Sequence, residues 1–153
     1  MHYYKLNLSQ FIHQSIEQVF AFFSRPANLD QITPQYLNFK IETFLPIKMK
    51  RGQKIDYTIT LKGIPIRWSS LISLYDPPNS FVDEQIRGPF SLWHHTHNFR
   101  EKNDGTVIGD HVRYAIPMGI IGRMANNVFV EKDLRHIFGY RQKMISKLFP
   151  KYH

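Results

Sequence analysis

The fold is decided by Gly88-Pro89-Phe90-Ser91-Leu92-Trp93-His94-His95-Thr96-His97-Asn98-Phe99. The stretch opens at a Gly-Pro break and carries no apolar repeat at helical spacing. It holds three of the chain's eight histidines and one of its two tryptophans. Read as a β-strand, it sends alternate side chains to opposite faces. Trp93, His95, His97 and Phe99 then share one face, and Leu92, His94, Thr96 and Asn98 the other. Such an aromatic and imidazole row is suited to lining a ligand pocket, holding a metal or moving protons. It is equally compatible with an ordinary polar-aromatic sheet surface.

Period two continues on both sides of this stretch. Strands are predicted over residues 37–45, 54–61, 66–75, 81–87, 91–100 and 106–116. Turn chemistry separates them: Arg51-Gly52, Lys62-Gly63, Asp76-Pro77-Pro78-Asn79, Gly88-Pro89 and Asn103-Asp104-Gly105. Such short links make an antiparallel meander. Upstream, residues 3–13 read as a first strand. Ser15-Ile16-Glu17-Gln18 has the form of a capping box, and Ile16, Val19, Phe20 and Phe23 form one apolar helix face. Pro26 should stop that helix near Ser24. Asn28 is placed to cap a second, very short helix over 29–32, closed by Thr33-Pro34. Downstream, Pro117-Met118-Gly119 breaks the last strand and residues 119–149 return to helical spacing. Ile121, Met124, Val128, Leu134, Phe138, Ile145 and Leu148 lie close to one stripe. A helix of about 28 residues is about 40 Å long, so it needs a wide sheet to cover that stripe. The expected fold is α+β: a seven-stranded curved antiparallel sheet wrapped around a long C-terminal helix, with two short helices after strand 1.

Composition bounds the function classes. The 153 residues, 42% hydrophobic and 14% aromatic, suit one ordered domain spanning residues 1–153. The absence of cysteine excludes disulfides and thiolate chemistry. The N-terminal residues lack the apolar core of a signal peptide. No apolar run approaches the roughly 18 residues that span a bilayer. A cytoplasmic protein without stable membrane insertion is expected. The formal charge of +8 is scattered, with its densest cluster, Lys48-Met49-Lys50-Arg51, in a turn. No nucleic-acid motif accompanies it, so no nucleic-acid partner is expected. Nothing in the sequence specifies an oligomeric state.

The chain resembles the START-like superfamily (SRPBCC, Bet v 1-like) with its helix-grip fold, over nearly its whole length. It looks closest to the bacterial ligand-binding SRPBCC branch, related to polyketide cyclase/dehydrase and START lipid-transfer domains. The residues that carry the resemblance begin with Phe20-Ala21-Phe22-Phe23-Ser24, Asn28-Leu29, Thr33-Pro34, Gly63-Ile64-Pro65 and Trp68. They continue through Pro77-Pro78, Phe81-Val82-Asp83-Glu84-Gln85, Gly88-Pro89-Phe90, Trp93, His95, His97 and Phe99. Gly105-Thr106, Asp110, Val112, Tyr114, Ile137-Phe138 and Tyr140-Arg141 complete them. The fold hosts binding, transport and cyclisation alike, and the branch supplies no catalytic residues to carry over.

Register arithmetic sharpens the strand. A three-residue connection at Gly88-Pro89-Phe90 sets Gln85 opposite Trp93, Asp83 opposite His95 and Phe81 opposite His97. A turn at Asn103-Asp104 sets His97 opposite Asp110 and Trp93 opposite Tyr114. A turn at Asp104-Gly105 instead sets Phe99 opposite Asp110 and His95 opposite Tyr114. Opposed Cβ atoms lie about 4.5–5.5 Å apart. His95 and His97 are therefore expected to pair with Asp83, Asp110 or Tyr114 on the concave face, with His94 facing out. Such a network either satisfies itself structurally, orients a ligand's polar groups or performs acid–base chemistry. His95-Thr96-His97 also has the one-face spacing of a metal pair, which needs a third ligand such as Asp83, Asp110 or His111. No metal and no other cofactor is expected.

A hydrophobic or aromatic small molecule is the expected partner: a lipid, polyketide-like or isoprenoid compound held between sheet and helix. The residues expected to meet it are Trp68, Phe81, Asp83, Gln85, Trp93, His95, His97, Phe99, Asp110, Tyr114, Met124, Val128 and Arg141. The aromatics among them serve equally as plain core. Arg141 either meets an anion inside or, as the simpler expectation, extends to water. The rival reading is a cyclase, dehydratase or aromatase using His95, His97 and an acid such as Asp110. A third is an interaction module using the basic surface. His13, His111, His136 and His153 read as isolated surface residues.

Overall fold

The computed structural model describes residues 2–151, with all side chains among them except those at 120, 123 and 127. Seven strands form one antiparallel sheet: β1 (Tyr4–Ile12), β2 (Lys40–Ile41), β3 (Lys54–Leu61), β4 (Ile64–Asp76), β5 (Ser80–Arg87), β6 (Leu92–Lys102) and β7 (Gly105–Ala115). Their spatial order is β1-β7-β6-β5-β4-β3-β2. Tight turns dictate the meander from β3 to β7. Lys62 and Gly63 both take positive φ, 49° and 80°, as a two-residue hairpin with the twist of the flanking strands requires. Asn103, at φ 54°, turns with Asp104 and sets Lys102 opposite Gly105. β7 then starts hard against the end of β1. A Cβ on Gly105 would stand 2.2 Å from the Ile12 carbonyl oxygen, so only glycine fits there.

Helix α1 (Ile16–Phe23) begins at the predicted cap, where Ser15 Oγ accepts from the Gln18 N–H at 3.2 Å. It buries Ile16, Val19, Phe20 and Phe23. The expected second helix is instead a 3-10 turn, Pro26–Ile32. Asn28 does not cap it, because its amide donates to the Phe22 carbonyl at 2.9 Å. The expected strand over 37–45 shrinks to Lys40–Ile41. A second 3-10 turn, Gln35–Leu37, takes its start, and Asn38 in the left-handed region (φ 45°) breaks the extended run.

The C-terminal helix is where the sequence pattern misleads. Helix α2 (Gly119–Ala125) runs into a π turn (Asn126–Val130) and on into α3 (Glu131–Leu148). The flanking Ala125 and Glu131 keep helical dihedrals, so the helix is continuous in backbone. A π turn inserts a residue into the 3.6 repeat and rotates everything upstream out of phase. Leu134, Phe138 and Ile145 face the sheet, whereas Ile121, Met124 and Val128 are 64%, 64% and 59% exposed. Met124 and Val128 therefore do not face the interior as expected. Among the described residues no helix is long and apolar enough to cross a membrane.

Two apolar clusters hold the sheet to its helices. One joins α1 to Ile72, Phe81, Phe99, Ile108 and Ile145. The other joins Leu6, Trp68, Trp93, Val112 and Tyr114 to Leu134 and Phe138. Strand β6 contributes Phe99 to the first and Trp93 to the second. Its two remaining inward positions, His95 and His97, lie between them.

Candidate functional site

Strand β6 alternates as its pattern predicts: Trp93, His95, His97 and Phe99 are buried and their neighbours half-exposed. The neighbouring registers are those of the first turn option. Phe81 opposes His97 and Asp83 opposes His95 across β5; His97 opposes Asp110 and Trp93 opposes Tyr114 across β7. The ladder thus brings two imidazoles on β6 between one carboxylate on β5 and one on β7.

The hydrogen bonds run diagonally across this ladder. His95 Nε2 pairs with Asp110 Oδ1 at 2.8 Å, and His97 Nε2 pairs with Asp83 Oδ2 at 2.6 Å. The two rings stack on each other (centroids 3.7 Å apart), and His97 stacks in turn on Phe81 at 4.1 Å. Phe138 of α3 meets His95 edge-on at 5.5 Å. One turn further, the Arg141 guanidinium lies over the Phe23 and Phe138 rings, with Nη2 3.8 Å from Asp110 Oδ1. Arg141 does not extend to water: its side chain is 12% exposed, and Nε and Nη2 are buried without a hydrogen-bond partner among the described residues. Trp68 Nε1 and His97 Nδ1 are likewise buried and unpartnered.

Burial and charge oppose each other here. Burial pushes the His97 imidazole down to about 4, helped by neighbouring His95 and resisted by Asp83. Burial alone would raise Asp110, but Arg141 and then His95 outweigh it and hold the carboxyl below the usual range. Asp83 is lowered in the same way: burial opposes ionisation, and the His97 hydrogen bond overcomes it. A neutral His97 donating to an ionised Asp83 follows from these directions.

The cluster borders a cavity of about 350 Å³ between sheet and helix. Trp68, Phe81, Asp83, Trp93, His95, His97 and Arg141 line it. The other sequence candidates lie elsewhere. Asp110 sits behind the wall, bonded to His95. Phe99 packs in the first core cluster and Tyr114 in the second. Gln85 is not paired with Trp93: its amide donates to the Phe90 carbonyl (2.7 Å) and accepts from the Phe90 N–H (3.1 Å), closing the 88–90 turn. His111 and His136 are exposed, His13 is half-buried beside Asp104, and His153 lies outside the described residues.

The sequence reading missed Tyr57 and Ser70, which bring two hydroxyls to the wall from the sheet. The signal was present. A two-residue turn at Lys62-Gly63 sets Tyr57 opposite Trp68, as observed, and Ser70 shares that face two residues on. Tyr57 stacks on Trp68 at 5.8 Å, and burial, then Asp83, pushes its hydroxyl far up, so it stays protonated.

No family model matches the chain, and no curated protein matches it in sequence. Solved structures do. A protein of Chromobacterium violaceum superimposes with a TM-score of 0.74 at 12% identity, over 97% of this chain and 99% of its own. The major latex-like protein 151 of Panax ginseng gives 0.71 at 13% identity, over 97% and 99%. A Mycobacterium smegmatis protein gives 0.69 at 13%, over 94% and 89%. At such identities the likeness is one of fold: this chain has the Bet v 1-like helix-grip architecture.

Proposed function

We propose that this helix-grip domain binds a compact hydrophobic or aromatic molecule, such as an isoprenoid or polyketide-like compound, between sheet and C-terminal helix. The observation that carries the reading is the cavity of about 350 Å³, with aromatic walls and one polar cluster. Ligand sites are typically apolar concavities of roughly 300–1,000 Å³ with a few converging polar groups. A volume at the lower end favours a compact ligand over a two-chain lipid. In this reading Trp68, Trp93 and Phe81 supply contact area, and His95, His97, Asp83 and Arg141 orient the ligand's polar atoms. Native mass spectrometry of protein isolated from its own host tests it. A retained apolar mass is expected, lost in Trp93→Ala and kept in His97→Ala. Absence of any retained mass, with no change in Trp68 and Trp93 fluorescence across a panel of aromatic and isoprenoid compounds, rejects binding.

A second reading rests on the two histidine–carboxylate pairs at 2.6 and 2.8 Å beside that cavity. A neutral imidazole held by a carboxylate is a general base, which suits a cyclase, dehydratase or aromatase. Turnover of the retained ligand, abolished in His95→Ala or His97→Ala with folding intact, identifies the enzyme.

A further inference from the structure

Both imidazoles of β6 bridge the same two carboxylates. His95 turns Nδ1 to Asp83 Oδ2 (3.8 Å) and Nε2 to Asp110 Oδ1 (2.8 Å). His97 turns Nε2 to Asp83 Oδ2 (2.6 Å) and Nδ1 to Asp110 Oδ1 (3.6 Å). One nitrogen of each ring converges on Asp83 and the other on Asp110. The ligating atoms of Asp83, His95 and His97 all lie within 4.8 Å of one another. These three residues line the cavity, whereas Asp110 stands behind them.

Two imidazoles and one carboxylate on one side of a centre form a ligand set for a first-row divalent metal, with further positions left open. A metal-bound histidine ordinarily donates its other N–H to a carboxylate, which fixes tautomer and ring orientation. Asp110 is placed to be that acceptor for both rings. This explains an otherwise odd atom. His97 Nδ1 is buried with no hydrogen-bond partner among the described residues. If Nε2 binds a metal, the ring proton sits on Nδ1 and points at Asp110. Arg141 sets its charge closest to Asp110, at 3.8 Å, and the cavity-lining Asp83 carboxylate is the one placed to meet an ion. The sequence reading names Asp83 among the candidate third ligands without expecting a metal; the β5–β6 register sets Asp83 opposite His95.

We propose that Asp83, His95 and His97 form a site for a first-row divalent transition metal such as Zn²⁺ or Fe²⁺. Asp110 is the outer acceptor shared by both imidazoles, and the open coordination positions face the cavity. The site shares Asp83, His95 and His97 with the preceding reading but needs no organic ligand, so metal uptake without a retained organic mass, or the reverse, separates the two.

Chelator-treated full-length protein, titrated with Zn²⁺ by calorimetry and with Co²⁺ by visible absorption, tests it. One ion per chain is expected. Asp83→Asn and His97→Gln, close to isosteric, should each weaken uptake by at least about 10-fold, and Asp110→Asn by about 10–100-fold. His94→Ala, on the other sheet face, and His111→Ala should leave it unchanged. No stoichiometric uptake by the folded wild type overturns the proposal, as does uptake unaltered in both Asp83→Asn and His97→Gln. Where circular dichroism finds a variant unfolded, paramagnetic shifts in the wild-type Co²⁺ complex decide. Shifted ring protons of His95 and His97 support the site, and shifts confined to other histidines overturn it.

Discussion

Asp110 Oδ1 faces three cationic or imidazole nitrogens: His95 Nε2, His97 Nδ1 and Arg141 Nη2. Its loss removes the nearest counter-charge of a buried guanidinium and leaves only the more distant Asp83, and breaking a buried pair from one side costs about 3–5 kcal/mol. Asp110→Ala should lose that much stability in urea denaturation. Adding Arg141→Met, which replaces the cation–π contacts to Phe23 and Phe138 with apolar ones while removing the under-compensated charge, should recover part of it, so the double change costs less than the sum. A loss under about 1 kcal/mol for Asp110→Ala would show that the cluster is not structural. At this scale the sequence revealed which residues share a face but not which atoms meet. Register fixes Cα opposition, Asp83 with His95 and Asp110 with His97. The shortest hydrogen bonds pair each imidazole with the other acid, because an imidazole carries two nitrogens on opposite edges and its χ angles choose between strands. The exposure of Arg141 was misjudged for a related reason. Helical spacing places it beside the stripe, but only the folded cluster shows a carboxylate behind the wall to draw it inward.

Among the elements, the C-terminal helix departs most from its pattern. A single 3.6-residue stripe drawn through Ile121 to Leu148 joins two phases that the π turn separates. Nothing in the apolar spacing marks the slip. A polar contact sits at its start: the Tyr114 hydroxyl on β7 donates to Asn126 Oδ1 at 2.7 Å, both groups being buried. Burial also pushes that hydroxyl up to about 12, so it remains a donor across the ordinary range. Asn126→Ala should cost about 1–3 kcal/mol by leaving the hydroxyl unsatisfied, and Tyr114→Phe in that background should add little. Equal, additive losses measured by denaturation would show that the bond does not pin the turn. The strands were far more legible, because turn residues bound them and alternate burial shows in each residue type. Where that reading failed, at 37–45, a left-handed Asn38 intervened. Gly105 shows the opposite limit, since its necessity comes from β1, nearly a hundred residues away in sequence. Gly105→Ala should destabilise by about 1–3 kcal/mol as the methyl is driven into the Ile12 carbonyl. Thermal melting at or above the wild-type midpoint would refute that account.

In the whole molecule, a curved sheet and a long helix leave an interior, and the chain sets an ionisable cluster in its wall between two apolar ones. The arrangement of elements is shared with proteins at 12–13% identity, so few individual side chains are needed to specify it. The polar cluster has its own consequence for stability against pH. In the metal-free protein, His97 is surrounded by Asp83, His95, Asp110 and Arg141, and burial holds it near 4. In the unfolded chain it titrates near 6.5. Between these values the unfolded state binds the extra proton, so stability falls as pH drops from about 6.5 to about 4, by roughly 3 kcal/mol. Below about 4 the His97 contribution is spent. Asp83 and Asp110, both held below the usual carboxylate range, then continue the decline as the unfolded chain takes up their protons. Urea denaturation at stepped pH in the presence of a chelator measures this directly. In His97→Gln, which cannot titrate, the slope between pH 6.5 and 4 should flatten while the steeper loss below 4 persists. A wild-type profile level from 6.5 to 4 would mean that His97 takes up its proton in the folded protein as it does in the unfolded chain, the reverse of the charge state derived from its burial.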